Sequence, residues 1–422
     1  MIHSRNTFKG MTARLRILAL AMLVSVMFAG PVLAQGLMTS QTYNRLEQVH
    51  DFMEEEEYEE ALDRLRRARD GAQNTHEEAV IAQLFGFVYI NLERYEDALD
   101  EFKTAAEIED NGLPEDRRLG VMQNVIQLHL QFEQYRDALE WVDRYLAVVE
   151  ASEDKEEAPS QVHVMAAQSH MQLEEFREAL PFISKAIELE DEPNEQYYRV
   201  KLGILFELED FRDAAEHLED MVSYWPDTMD YWFQLFQINW QLDREDTALS
   251  VLKLAYRKGL FDSEDHYVNL FRMYMMEGAP YDAGVVMEEG MDAGEVPRDQ
   301  RRMEMLSRAW IQAQERDRAI AVLEELAELQ GTGESYYLIA QIEQERGNWE
   351  AMRSAALEAY DRGELDEPGN ALLMAGRGAA ESKDYDAAMA TFQRAMEYER
   401  VQNQASSWVE FVQEEQALRE QN

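Results

Sequence analysis

Cysteine is absent from the 422 residues. That excludes disulfides, thiolate metal sites, a cysteine nucleophile and a lipidated N-terminal cysteine. Proline is scarce, with nine residues in all, which suits helices better than coil. Positive charge is also in short supply: 40 Lys and Arg face 85 Asp and Glu, a net charge of −45. A surface of that sign repels nucleic acid and anionic membranes, so neither is an expected partner. Chemical signatures are missing too. No glycine-rich loop ends in Lys-Ser/Thr, no His-Glu-x-x-His occurs, and there is no nucleophile elbow. No enzyme activity, metal site or cofactor is therefore expected. What is present is 46% hydrophobic and 10% aromatic residues, enough to bury a core and to exclude global disorder.

A long apolar run occurs once, from Ile17 to Ala29, after Arg14 and Arg16 and before the small residues of Val32-Leu33-Ala34. A basic start, a short apolar middle and small residues at a cut site predict a secretory signal peptide over 1–34, cleaved after Ala34. Translation is expected to start at Met1 or Met11. The leader holds four basic and no acidic residues, so its removal deepens the net charge to −49. The expected location is the periplasm, with no later stretch apolar enough to span a bilayer.

The rest of the chain repeats itself. An aromatic residue, two variable residues and an alanine recur at Tyr58/Ala61, Tyr95/Ala98, Tyr135/Ala138, Phe176/Ala179, Phe211/Ala214 and Tyr385/Ala388. Ala248, Ala319 and Met352 continue the series, and a weak copy centres on Ala283, with Pro280 in place of the aromatic. The spacings are 37, 40, 41, 35, 34, 35, 36, 33 and 36. A period near 35 over ten copies marks a stacked array of supersecondary units. Within a unit a bulky residue follows the alanine by four and a small one by seven, as in Ala98, Phe102 and Ala105. These spacings share one helix face, and the small residues let a second helix approach. Another amphipathic stretch precedes each such helix. The run Glu54–Glu57 therefore lies at the turn of the first unit, with Phe52 and Tyr58 as anchors, and is not a disordered tail. Extra residues are expected as loops in "EDNGLPEDRR" (109–118) and "VEASEDKEEAPSQ" (149–161).

Other candidates for chemistry are weaker. "GTGES" (331–335) reads as turn punctuation. His163 and His170 are seven apart, too far for a two-ligand zinc site on one helix, and His129 stands alone. The acidic loop before Pro159 lacks the alternating ligands and central glycine of a calcium loop. Met221, Met273 and Met389 fall at core spacing.

The pattern resembles the tetratricopeptide repeat. The clearest copy has Phe85, Gly86, Tyr89, Tyr95, Ala98, Phe102 and Ala105. The resemblance implies an all-α, right-handed superhelical solenoid of about ten helix-turn-helix repeats over 35–403, with a capping helix and tail over 404–422. It also implies a concave face lined by the first helix of each pair. One register places Phe87, Gln127, Gln168, Gly203, Gln237, Arg272, Arg308, Gln341 and Arg377 on that face, and Gln83, Gln123 and Arg199 join four residues earlier. The row lacks carboxylates. Gln offers donor and acceptor and Arg a fork of donors, which suits an extended peptide; Phe87, Phe233 and Trp240 offer apolar pockets. The stretch 43–67 and the overall layout look like the tetratricopeptide proteins associated with TonB systems. That resemblance implies a non-enzymatic periplasmic scaffold beside TonB, ExbB and ExbD. A scaffold for outer-membrane assembly, polysaccharide export or cell-wall metabolism is the alternative.

Overall fold

A computed structural model describes residues 38–152 and 157–420, excluding the side chains of 418–420. The leader expected at 1–34 and part of the loop before Pro159 lie outside the described residues. Among the described residues every regular element is a helix, and they fall into two compact units, one ending at Glu175 and one starting at Phe176. The first holds α1 (Ser40–Glu54), α2 (Tyr58–Arg69), α3 (Thr75–Asn91), α4 (Tyr95–Glu107), α5 (Glu115–Gln131), α6 (Tyr135–Ala151) and α7 (Ser160–Gln172). The second opens with α8 (Phe176–Glu188), α9 (Glu195–Glu207), α10 (Phe211–Tyr224), α11 (Met229–Gln241), α12 (Glu245–Arg257), α13 (Glu264–Glu277) and α14 (Pro280–Asp292). It continues with α15 (Gln300–Gln312), α16 (Arg316–Gln330), α17 (Glu334–Arg346), α18 (Trp349–Arg362), α19 (Pro368–Glu381), α20 (Tyr385–Ala395) and α21 (Gln402–Glu420). The chain is thus an all-α helical-repeat array.

One backbone device sets the register of every repeat. Five residues before each repeat alanine, or its Met352 equivalent, stands a residue with positive φ: Glu56, Glu93, Glu133, Glu174, Glu209, Asp243, Gly278, Gln314, Gly347 and Lys383. The next residue donates its N–H to the carbonyl five residues back, as in Arg94 to Tyr89 (2.8 Å), Gln134 to His129 (2.8 Å) and Asp384 to Ala379 (2.9 Å). This left-handed cap closes the first helix and aims the chain into the second. The copy that looked weakest keeps the same turn. Ala279 bonds Tyr274 at 2.9 Å, Gly278 takes the left-handed position, and Pro280 fits the first turn of α14, where no N–H is needed.

The ten repeat positions, from Ala61 to Ala388, are fully buried, as are Leu65, Phe102, Ile183, Leu218, Leu252, Met287, Leu323 and Phe392 four residues later. Small and large residues interlock across each hairpin. A methyl group on Gly86 would stand 2.4 Å from the Phe102 ring, and one on Gly376 2.5 Å from Phe392. Polar ties join one hairpin to the next. Arg69 forks onto Glu101 at 2.9 and 2.5 Å, Tyr231 donates to Glu195 at 2.5 Å, and Arg362 reaches Glu328 at 2.6 Å. Buried Glu77 accepts from the Thr39 N–H, the Thr42 hydroxyl and the Gln73 N–H, which pins the start of α1. Burial alone would raise its pKa, but these bonds outweigh it and hold the carboxyl below its ordinary value.

Two boundaries differ from the sequence expectation. Glu115–Arg118 belongs to α5 and Val149–Ala151 to α6, so part of the extra length extends helices and less of it forms loop. Pro114 caps α5, and Glu115 and Asp116 complement the positive end of the helix dipole. In α21 the line Ala405, Trp408 and Val412 packs on the last hairpin, whereas Phe411 is 47% exposed. Residue 411 lies one helical step of about 100° from 412 and leaves the contact.

Candidate protein-binding face

The left-handed turn fixes where each first helix ends, so positions counted back from the repeat alanine are structurally equivalent. Eleven residues back, the first unit carries His50, Phe87, Gln127 and Gln168 on α1, α3, α5 and α7. The second carries Gly203, Gln237, Arg272, Arg308, Gln341 and Arg377 on α9, α11, α13, α15, α17 and α19. Every one of these is half-buried or exposed, and the residue preceding each is buried in the hairpin core. Gln83, Gln123, Arg199 and Phe233 stand four residues earlier, one turn away, and none of them is buried.

The structure divides these side chains by what they touch. Gln123 donates to the Tyr145 hydroxyl of α6 at 3.3 Å, so it serves its own hairpin. Phe87 meets Phe102 edge to face at 5.2 Å. Phe233 packs on Phe236 (5.6 Å) and on His266 of the next hairpin (4.8 Å). Arg377 lies over the Trp349 ring at 5.7 Å. The side chains of Gln168, Gln237, Arg272, Arg308 and Gln341 make no hydrogen bond or ion pair among the described residues. Trp240 is 39% exposed.

Sequence reading missed a second row, three residues after the first. It consists of Met53, Ile90, Leu130 and Met171 in one unit and Phe206, Trp240, Met275 and Ile311 in the other, all half-buried or exposed. Met276 stands beside it, 62% exposed, and Ile311 is 37% exposed. Only Trp240 was singled out from sequence. The signal was an apolar residue three after Gln127, Gln168, Gln237, Arg272 and Arg308, hidden because the core stripe on the same helices is also apolar. Within the second unit, from α11 to α15, the two rows form an amphipathic strip: a polar ridge of amides and guanidinium groups beside an apolar ridge.

Other polar clusters are paired internally. A groove of about 500 Å³ floored by Trp141 and Met122 is rimmed by Arg118 and Arg144, which pair with Glu109 (3.0 Å) and Glu107 (3.4 Å). His129 bonds Gln134 at 2.7 Å and His170 bonds Glu175 at 2.9 Å. No three His, Asp or Glu side chains among the described residues converge as metal ligands. No described helix is long and apolar enough to cross a membrane.

Residues 204–262 match the tetratricopeptide repeat family. That segment is similar to tetratricopeptide repeats. The matched segment runs from the end of α9 to the loop after α12, and the same turn and buried alanine recur on either side of it. A solved tetratricopeptide repeat protein from Parabacteroides merdae is 12% identical, with 64% of this chain and 99% of that one aligned and a TM-score of 0.35. MamA from Desulfovibrio magneticus RS-1 is 17% identical over 44% of this chain and 96% of its own, also at 0.35. YrrB, described as a tetratricopeptide protein with an unusual peptide-binding site, is 16% identical over 45% and 90%, at 0.35. No curated protein sequence matches the chain.

Proposed function

We propose that this protein is a non-enzymatic scaffold that holds protein segments on the exposed faces of its first helices. The observation that carries this reading is the strip itself. Gln237, Arg272, Arg308 and Gln341 present donors and acceptors that the fold leaves unused, beside apolar side chains that the core leaves exposed. Proteins do not gain stability by exposing Trp240, Met276 and Ile311 on successive first helices; such a patch marks an interaction surface. The repeat family is generally an interaction scaffold rather than a catalyst.

The proposed setting is the periplasm, on the leader-like sequence of residues 1–34, and the proposed partners are components of a TonB system. Support for the latter is the resemblance of residues 43–67 and of the overall layout. Two measurements test the proposal. Cell fractionation should place the chain, shortened by the leader, in the periplasm. Affinity capture by residues 35–422 from envelope extract should enrich TonB, ExbB or ExbD. Enrichment of assembly, export or cell-wall proteins instead would move the scaffold to another envelope process. Capture that survives simultaneous replacement of Gln237, Arg272, Arg308 and Gln341 by alanine would remove the face from the account.

A further inference from the structure

Arg272 and Arg308 occupy one register position on adjacent first helices, α13 and α15, which the Arg302–Glu264 ion pair ties side by side. Neither arginine has an ion-pair partner among the described residues, in a chain with 85 acidic and 40 basic side chains. Three carboxylates on the same stretch of the fold are engaged elsewhere. Glu264 holds Arg302, Glu304 accepts from Gln300 (3.0 Å) and Gln330 (3.2 Å), and Glu345 meets Arg316 at 3.4 Å. The polar ridge itself carries no carboxylate. Two guanidinium groups thus stand unpaired in a strongly acidic chain, with Trp240, Met275, Met276 and Ile311 on the same helix faces.

We propose that this strip of the second unit takes an acidic, extended partner segment with carboxylates three residues apart and apolar side chains between them. The inference rests on the scaffold reading above and names the partner chemistry of the same face. Packed neighbouring helices lie about 10 Å apart. A polyproline-II segment rises about 3.1 Å per residue with three residues per turn, so every third side chain returns to one side after about 9 Å. That interval suits two carboxylates meant for guanidinium groups on two neighbouring helices. A β-strand would turn the third side chain to the opposite side. A helix would bring a backbone already bonded to itself and leave Gln237 and Gln341 unused, whereas a polyproline-II backbone keeps its amides and carbonyls free for them. Each guanidinium then forks onto one carboxylate, and the apolar ridge takes the intervening side chains.

The test is fluorescence anisotropy with labelled peptides made of four Glu-Leu-Pro, four Gln-Leu-Pro or four Lys-Leu-Pro repeats. Residues 35–422 should bind the glutamate peptide, more weakly as salt rises, and bind the other two at least tenfold more weakly. The double variant Arg272→Glu/Arg308→Glu should lose the glutamate peptide by tenfold or more with unchanged helical circular dichroism and melting. Arg272→Gln/Arg308→Gln repeats the test without adding negative charge, and Arg212→Glu, off the strip, should leave binding unchanged. Equal binding of the three peptides, or undiminished binding by both double variants, overturns the inference. A glutamate peptide that fails to bind while envelope proteins are still captured through the strip overturns the acidic partner alone and leaves the scaffold standing.

Discussion

Hairpins α3/α4 and α13/α14 solve the same packing problem with opposite distributions of size. In α3/α4 the glycine sits on the first helix and the large ring on the second: Gly86 lies under Phe102. In α13/α14 the glycines move to the second helix. Gly290 lies under Tyr267, and Gly284 under Trp310 of the following hairpin, while Phe271 fills the position that Gly86 holds in the earlier repeat. The repeat therefore does not demand a particular residue at these places. It demands that close approach on one helix be matched by bulk on the other, because interiors are packed to crystal-like density.

The comparison can be broken most severely at its largest side chain. Phe102→Ala should cost about 3–5 kcal/mol, read as a lower urea midpoint, because the cavity faces Gly86 and nothing can collapse into it. Gly86→Ala should cost about 1–3 kcal/mol by overpacking, since a methyl there meets the ring at 2.4 Å. Gly290→Ala, whose methyl would meet Tyr267 at 2.8 Å, should be the milder of the two. Gly203→Ala sharpens the contrast with the opposite sign. Nothing lies within 4 Å of a methyl there, so relief of helix entropy should stabilise by about 0.5–1 kcal/mol. If Gly203→Ala and Gly86→Ala shift the midpoint alike, size matching is not what the glycines do.

The turns offer a smaller version of the same contrast. Glu93 and Gly278 share the left-handed position at φ 57° and 78°. An L-residue pays about 1–2 kcal/mol there that glycine does not. Glu93→Gly should raise the melting temperature slightly, and Gly278→Glu should lower it. The pH dependence is set by burial. His129, His217 and His266 are pushed below the ordinary 6.5 first by desolvation, only partly offset by Gln134, by the Tyr198 carbonyl and by Asp262 respectively. Their unfolded pKa exceeds their folded one, so their contribution is complete above pH 6.5 and is lost as pH falls through the lowered folded values. Thermal melts of His217→Phe should show a weaker acid dependence than the wild-type chain.

The repeat was legible because its alanines are sterically obligatory: each is fully buried at a helix crossing, and no larger residue but Met352 occupies the place. The polar row on the first helices was legible for a different reason. Its positions are fixed by the period and left open by the core, so Gln and Arg there stood out in an acidic chain. Phe206, Met275 and Ile311 were not legible, because an exposed apolar residue and a buried one look alike in a helix that is apolar on several sides.

By itself the sequence determined the number of hairpins, their helical content and the face each helix buries, since these follow from periodicity and the volume of a few side chains. Tertiary structure alone decided which polar groups remain free. Whether Arg272 is unpaired while Arg302 is bound depends on where Glu264 comes to rest across a neighbouring hairpin, at a separation of dozens of residues that no local pattern encodes.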